Sequence, residues 1–262
     1  MSRCFFHSRS CDQNESRRFE HKSYNQQRMC GRYRLSRHAE AFAKYFDSEY
    51  ADTEWEGRYN IAPTQQVPVI RQDANVPVRR ASLMRWGLVP YWAKDLAIGA
   101  RMINARSETA ASKPAFKEAL QRKRCLIPAD AFYEWLRTAK TKQPFCFEVR
   151  EGEMFAFAGL WDRWREPAGT WLETCTILTT TANHLITDVH DRMPVILSLE
   201  SYDLWLDPGF RDSAAAAEML KPYDAGRMRR YTVSTRVNNV ANDDPQCSSP
   251  IEVSRENQAG LF

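Results

Sequence analysis

Apolar residues recur at Ala39, Phe42, Ala43 and Phe46 with the i, i+3, i+4, i+7 spacing of one helix face, and Ser36 ahead of them predicts an N-cap. A second short helix is predicted from Ser112, with Phe116, Ala119 and Leu120 on one side. Between the two, Arg58–Thr64 reads as a polar loop, and Val67–Ile70 and Val76–Met84 as short strands. Arg85–Trp92, dense in rings, Pro and Gly, reads as a turn-rich segment with its aromatics partly exposed. Further on the signal turns to strands, predicted at Cys125–Ile127, Ala131–Leu136, Phe145–Val149, Met154–Leu160 and Thr174–Thr181. A third helix is predicted near Asn183–Val189, then a strand at Val195–Leu197, helices around Leu199–Leu206 and Ala214–Leu220, and a late strand at Met228–Val233. Strands outnumber helices, do not alternate regularly with them, and have connections mostly too short for parallel crossovers. The pattern therefore predicts a largely antiparallel α+β domain.

The chain has 262 residues, 43% of them hydrophobic, enough for a packed core. Residues 1–28 stand apart: rich in Arg, Ser, Asn, Gln and His and without periodicity, they read as a disordered or upstream-translated extension, the abrupt change at Met29 favouring the second. Residues 248–262 read as a flexible tail, which leaves a folded domain over 29–247. The extension holds six basic and three acidic residues, so +3 of the net charge of +4 belongs to it. With +1 left for the domain, global basicity gives no argument for nucleic acid, and any such surface must be local. Seven cysteines form no C-x-x-C pair and include an odd one, which argues for a reducing cytoplasm and against a disulfide framework or a zinc finger. No stretch approaches the roughly 20 apolar residues of a membrane span. No metal or cofactor is expected.

Four segments concentrate polar residues with chemical potential. Met29-Cys30-Gly31-Arg32 comes first, because Met29 suits a start codon with a small second residue. Cys30 would then be the mature N-terminus, with an α-amine and a thiol on adjacent carbons. That pair can capture an aldehyde: the amine condenses to an imine and the thiolate closes a five-membered ring on it. The α-amine, with an ordinary pKa of about 7.7–8, offers a usable neutral fraction at pH 7. Read alone, the tetrapeptide favours Cys30 as an ordinary buried thiol. Glu134 lies inside a strand-like run where alternation groups it with Phe132 and Leu136. On a core face it would be desolvated and suited to acid/base work; on an edge strand it would be solvated. His190 beside Asp191 reads alone as a surface or structural histidine. Asn104 and Arg106, two apart, share one face of an extended segment, where a loop-fixing hydrogen bond and a surface salt bridge are the plain alternatives. Trp86 and Trp135 read as core packing.

In this order, the segments resemble the SOS-response-associated peptidase (SRAP) family, which senses abasic sites in single-stranded DNA. The similarity runs from Met29 to about Asn242 through Arg58-Tyr59-Asn60-Ile61-Ala62-Pro63, Trp86-Gly87, Ile103-Asn104-Ala105-Arg106-Ser107-Glu108-Thr109, Phe132-Tyr133-Glu134-Trp135, His190-Asp191-Arg192-Met193-Pro194 and Val233-Ser234 followed by Val237-Asn238. The resemblance implies a barrel-like β core with peripheral helices. It implies a catalytic group of Cys30, Asn104, Glu134 and His190, and a thiazolidine crosslink from Cys30 to the abasic sugar. It implies a DNA groove in which Arg32, Arg106 and Arg192 hold phosphates while Asn60, Pro63, Tyr91 and Trp92 line kinked bases. The expected partner is single-stranded DNA containing abasic sites, met by a monomer in the cytoplasm at the nucleoid. The extension before Met29 departs from the family, whose chemistry needs a free Cys30 amine. Two other readings remain: a cysteine (auto)peptidase with Cys30 as nucleophile, His190 as base and Asn104 as orienter, and a single-strand-binding module without chemistry.

Overall fold

A computed structural model describes residues 31–50, 55–138, 141–150 and 152–252. Cys30 and the rest of the extension lie outside the described residues. In chain order the elements are β1 (Tyr33–Leu35), α1 (Ala39–Tyr45), β2 (Ser48–Tyr50), β3 (Arg58–Ile61), β4 (Gln66–Gln72), β5 (Arg79–Trp86), β6 (Asn104–Arg106), α2 (Ser107–Ala110) and α3 (Pro114–Arg122). There follow β7 (Arg124–Ala129), β8 (Ala131–Arg137), β9 (Lys142–Val149), β10 (Phe155–Arg165), β11 (Trp171–Thr181), β12 (Arg192–Pro194), β13 (Ile196–Leu197), α4 (Tyr202–Leu206), α5 (Ser213–Glu218) and β14 (Met228–Thr232), with short 3-10 turns between.

Among the described residues the strands form two assemblies. β4, β5, β7, β10 and β11 run β11-β10-β7-β4-β5, and β5 then pairs back onto β11, closing a five-stranded barrel. Every neighbouring pair in it is antiparallel except that closing one, which joins Thr174 to Arg85 and Cys175 to Trp86 in parallel. A side sheet runs β14-β9-β8-β1-β3. The α+β class and the barrel-like core are as expected.

The barrel closes through a tight backbone contact. Gly87 donates from its N–H to the Cys175 carbonyl at 2.8 Å and sits at φ +132°, where a Cβ would come within 2.7 Å of the Gly99 carbonyl oxygen. Only glycine tolerates both demands. Inside, Tyr33 from β1 meets Trp86 and Phe157 edge to face, and Phe132 stacks on Phe147 at 5.1 Å, so barrel and side sheet share one core.

The passage from barrel to side sheet is Asp130, the residue between β7 and β8. Its buried carboxylate accepts from Arg34 Nε at 2.5 Å and from both the N–H and hydroxyl of Ser36, at 2.7 and 2.5 Å. Arg34 also donates to Glu148 on β9 at 2.8 Å, and Glu148 accepts from Arg229 and the Tyr231 hydroxyl on β14. Three strands and the β7–β8 junction are thus pinned by one charge network, which restricts where β1 can lie.

Several local expectations change. Ser36 is no N-cap: α1 starts after His38, and Ser36 serves Asp130 instead. Arg58–Ile61 is a strand, not a loop, because β1 and the Asp243 carboxylate take up its polar groups. Asn183–Val189 forms consecutive turns and no helix. The chain also stays on the sheet past 247: Pro250 bridges Val233, and Ile251 donates to the Thr232 carbonyl at 3.0 Å. Residues 253–262 lie outside the described residues.

Candidate active site

Beyond Tyr133, whose N–H donates to the Arg32 carbonyl at 3.1 Å, no strand among the described residues pairs with β8 on its β1 side, and a cleft opens there. Gly31 and Arg32 form one end of it. Pro63 and Thr64 form one wall, Ala100 and Ile103 another, and Glu134, Trp135, Arg137, Lys142 and His190 close it, around about 370 Å³. Gly31, the first described residue and the covalent neighbour of Cys30, lines this cleft.

Glu134 is 3% exposed, which settles the alternation question in favour of the enclosed face. His190 is 9% exposed and lines the same cleft, so it is no surface histidine. Its backbone N–H donates to the Ile186 carbonyl, and the turns of 183–189 thereby fix the ring's approach. Two groups meet Nδ1: the Arg192 N–H donates to it at 3.1 Å, and the Asp191 carboxylate lies 2.9 Å away. The first contact suits a neutral ring with its proton on Nε2. The second suits an imidazolium, whose Nδ1–H would donate to Asp191. Both protonation states therefore have a partner at Nδ1. Asn104 is half-buried on β6, held against Ile177 of β11 and adjacent to the cleft residue Ile103.

Thr64 holds the opposite wall with φ +71°, a left-handed conformation uncommon for a non-glycine residue. Its N–H donates to the Trp86 carbonyl and its carbonyl accepts from Arg85, so the barrel end enforces the turn that presents Pro63.

The three arginines differ. Arg32 donates to Asn60 Oδ1 and the Val237 carbonyl, both at 2.7 Å, and to the Asn238 carbonyl at 3.3 Å; burial lowers its proton affinity. Arg192 forks onto Glu108 at 2.7 and 2.9 Å and reaches the Thr179 carbonyl at 2.6 Å. Arg106 is exposed. Asn60 is fully buried, with its amide donating to the carbonyls of Val237, Asn239 and Asn242. It reaches the cleft only through Arg32 and does not face a groove. Tyr91 and Trp92 are 59% and 47% exposed on a loop tied down by Asp162, which accepts from the Tyr91 N–H at 2.9 Å.

Sequence reasoning missed Arg137 and Lys142, and took Trp135 for core. Trp135 is instead a half-buried cleft wall whose Nε1–H donates to Asn238 Oδ1 at 2.6 Å. The available signal was its place next to Glu134, since the strand face that hides one side chain turns the next outward.

Residues 29–240 match the family model of the SOS response associated peptidase (SRAP). The chain belongs to the SRAP family. Among its relatives, the abasic site processing protein YoqW of Bacillus subtilis is 45% identical over 221 residues, covering 83% of this chain and 98% of that one. The abasic site processing protein HMCES of Gallus gallus is 34% identical over 266 residues, covering 86% of this chain and 79% of its own. A crystal structure of a protein from Bacteroides thetaiotaomicron superposes with a TM-score of 0.78 at 27% identity, over 85% of this chain and all of that one. The SRAP match begins at Met29, immediately before Cys30.

Proposed function

We propose that this SRAP protein processes abasic sites by binding single-stranded DNA and capturing the lesion's aldehyde on Cys30. The observation that carries the reading is the convergence of an enclosed carboxylate, Glu134, and an imidazole, His190, on the cleft that Gly31 enters. The relatives' names point to the same substrate class.

The chemistry requires Met29 to be the start and to be removed, or residues 1–29 to be cleaved away, so that the Cys30 nitrogen is a free amine. His190, as an imidazolium paired with Asp191, gives its Nε2 proton to the ring oxygen of the closed sugar, which opens to the C1′ aldehyde. The amine adds to C1′, and Glu134 shuttles protons as the carbinolamine loses water to become an imine. Asn104 orients the amine or the developing oxyanion through its amide. The thiolate of Cys30 then adds to C1′ and the nitrogen takes a proton, leaving a thiazolidine. The sum is one C–N and one C–S bond formed and one water released. Stopped at the imine, the same adduct would cleave the strand by β-elimination, which is the lyase activity this reading allows.

Before capture, Arg106 meets phosphate directly and Arg192 does so in competition with Glu108, while Arg32, braced by Asn60, shapes the floor. Pro63 wedges at the lesion, and bases stack on Tyr91 and Trp92 at about 1–3 kcal/mol each. The working unit is the domain from Met29, a monomer acting in the cytoplasm on the nucleoid, without metal or cofactor. The family description as a peptidase favours one further activity, cleavage before Cys30 with its own thiol as nucleophile, which would expose the amine.

Intact mass before and after incubation with an abasic single-stranded oligonucleotide tests the proposal. The expected product starts at Cys30 and gains the oligonucleotide less one water. An adduct that survives Cys30→Ala, or forms on a protein still carrying residues 1–29, overturns it.

A further inference from the structure

We propose that Arg137 and Lys142 form a clamp for one backbone phosphate of the bound strand at the mouth of the cleft, a site separate from Arg32, Arg106 and Arg192. The clamp rests on the functional reading above and adds a ligand-binding element to it.

Arg137 and Lys142 are directly opposed on the last rung of the β8–β9 hairpin, so their side chains leave the same face of the sheet. Like charges in that relation repel and destabilise a hairpin. Of the charges acting on Lys142, the carboxylate of Glu134 in the same cleft weighs least, behind the guanidinium groups of Arg137 and Arg32. Both line the cleft that holds Glu134 and His190, and Lys142 extends over the face of Trp135, 4.7 Å from the ring centroid, with Arg32 at 6.0 Å from the same ring. Partial burial, and after it the charges of Arg137 and Arg32, lower the proton affinity of Lys142. This is a concentration of positive charge that an anion would relieve.

The other cations nearby are committed. Arg32 is bound by three acceptors of the protein and Arg192 by Glu108 and Thr179. Arg137 and Lys142 present a planar fork and a point charge to solvent, the combination suited to a phosphodiester oxygen pair. A strand whose sugar reaches the cleft carries a phosphate on each side, and the hairpin mouth receives one of them.

The test is a chemical double-mutant cycle on noncovalent binding. Oligonucleotides with a single uncharged methylphosphonate at successive positions around the abasic site are titrated against wild type, Arg137→Gln, Lys142→Gln, the double variant and Lys142→Arg. One methylphosphonate position should weaken the wild type and cost nothing further in the double variant, whose log–log salt slope should be lower than the wild type's by about 0.7, each single Gln substitution losing part of that. Lys142→Arg should keep the wild-type pattern. The clamp is overturned if every methylphosphonate position costs the double variant what it costs wild type, if the slopes are unchanged, or if Lys142→Arg behaves as Lys142→Gln. A wild type that binds no strand at any position overturns the functional reading itself, and the two failures are thereby told apart.

Discussion

Arg192 is gripped at both ends of its fork by Glu108, a side chain that is itself 46% exposed. Burial alone would raise the Glu108 carboxyl, but the hydrogen bond and charge of Arg192, the Glu108 backbone N–H and the charge of Arg106 together outweigh it and hold the group below the ordinary carboxylate range, so it is ionised at neutral pH. A phosphate approaching Arg192 must displace this internal anion. Glu108→Gln should therefore bind unmodified single-stranded DNA severalfold more tightly at low salt, while costing no more than about 1 kcal/mol of stability, as half-exposed pairs do. Fluorescence anisotropy at two salt concentrations reads this. Weaker binding would mean that Glu108 orients Arg192 and does not compete for it.

Asn60 is the second case. Its amide supplies hydrogen bonds to three carbonyls of the 237–242 segment while its oxygen receives Arg32. Removing it leaves several enclosed acceptors without donors. Asn60→Ala should cost about 2–4 kcal/mol, seen as a lower urea midpoint at unchanged slope. Asn60→Asp, which cannot donate and adds a buried charge, should be worse. A loss under about 1 kcal/mol in both would contradict this role.

Acid stability should follow Glu148. Burial raises its carboxyl, but hydrogen bonds from Tyr231 and Arg229, with the charge of Arg34, outweigh that and lower it. A carboxyl lowered in the folded state stabilises fully above its unfolded value, about 4.3, and that contribution is lost as pH falls through the folded value. The thermal midpoint of the wild type should fall steeply below about pH 4, and that of Glu148→Gln should fall less. At pH 7 the variant should be destabilised by about 3 kcal/mol, the low end for breaking an enclosed pair, because Arg229 is half exposed. Parallel midpoint curves for the two proteins would assign the acid transition to other carboxyls.

The four described cysteines, Cys125, Cys146, Cys175 and Cys247, are buried free thiols. Burial pushes the Cys146 thiol up to about 12 and raises the other three as well. A thiol reagent acts on thiolate, so iodoacetamide at pH 7.5 should leave all four unlabelled in the native protein and modify them only after denaturation. Peptide mapping by mass spectrometry checks this. Native labelling at any of the four would show that the fold opens there.

Part of this was legible from residues alone, and the reason differs from element to element. Phe42 and Phe46, or Phe116, Ala119 and Leu120, announce their buried faces because a helix repeats its environment locally. The enclosure of Glu134 was one of two outcomes its strand periodicity allowed. The closing of β5 on β11 left no local trace: parallel pairing between strands some 90 residues apart depends on the Gly87–Gly99 contact, which is a tertiary event. Asn60 looked like a groove residue because its partners lie about 180 positions later. Arg137 and Lys142 become a pair only once the hairpin register is known.

β1 lies between β8 and β3, inside the side sheet and not at its rim, and it begins two residues after Gly31. A load hung on the chain at that end therefore pulls lengthwise against two neighbours at once and against the Arg34 charge network, where an edge strand would unzip one rung at a time. A motor hauling on anything fastened there would load β1 in shear against β8 and β3 before it reached the rest of the domain.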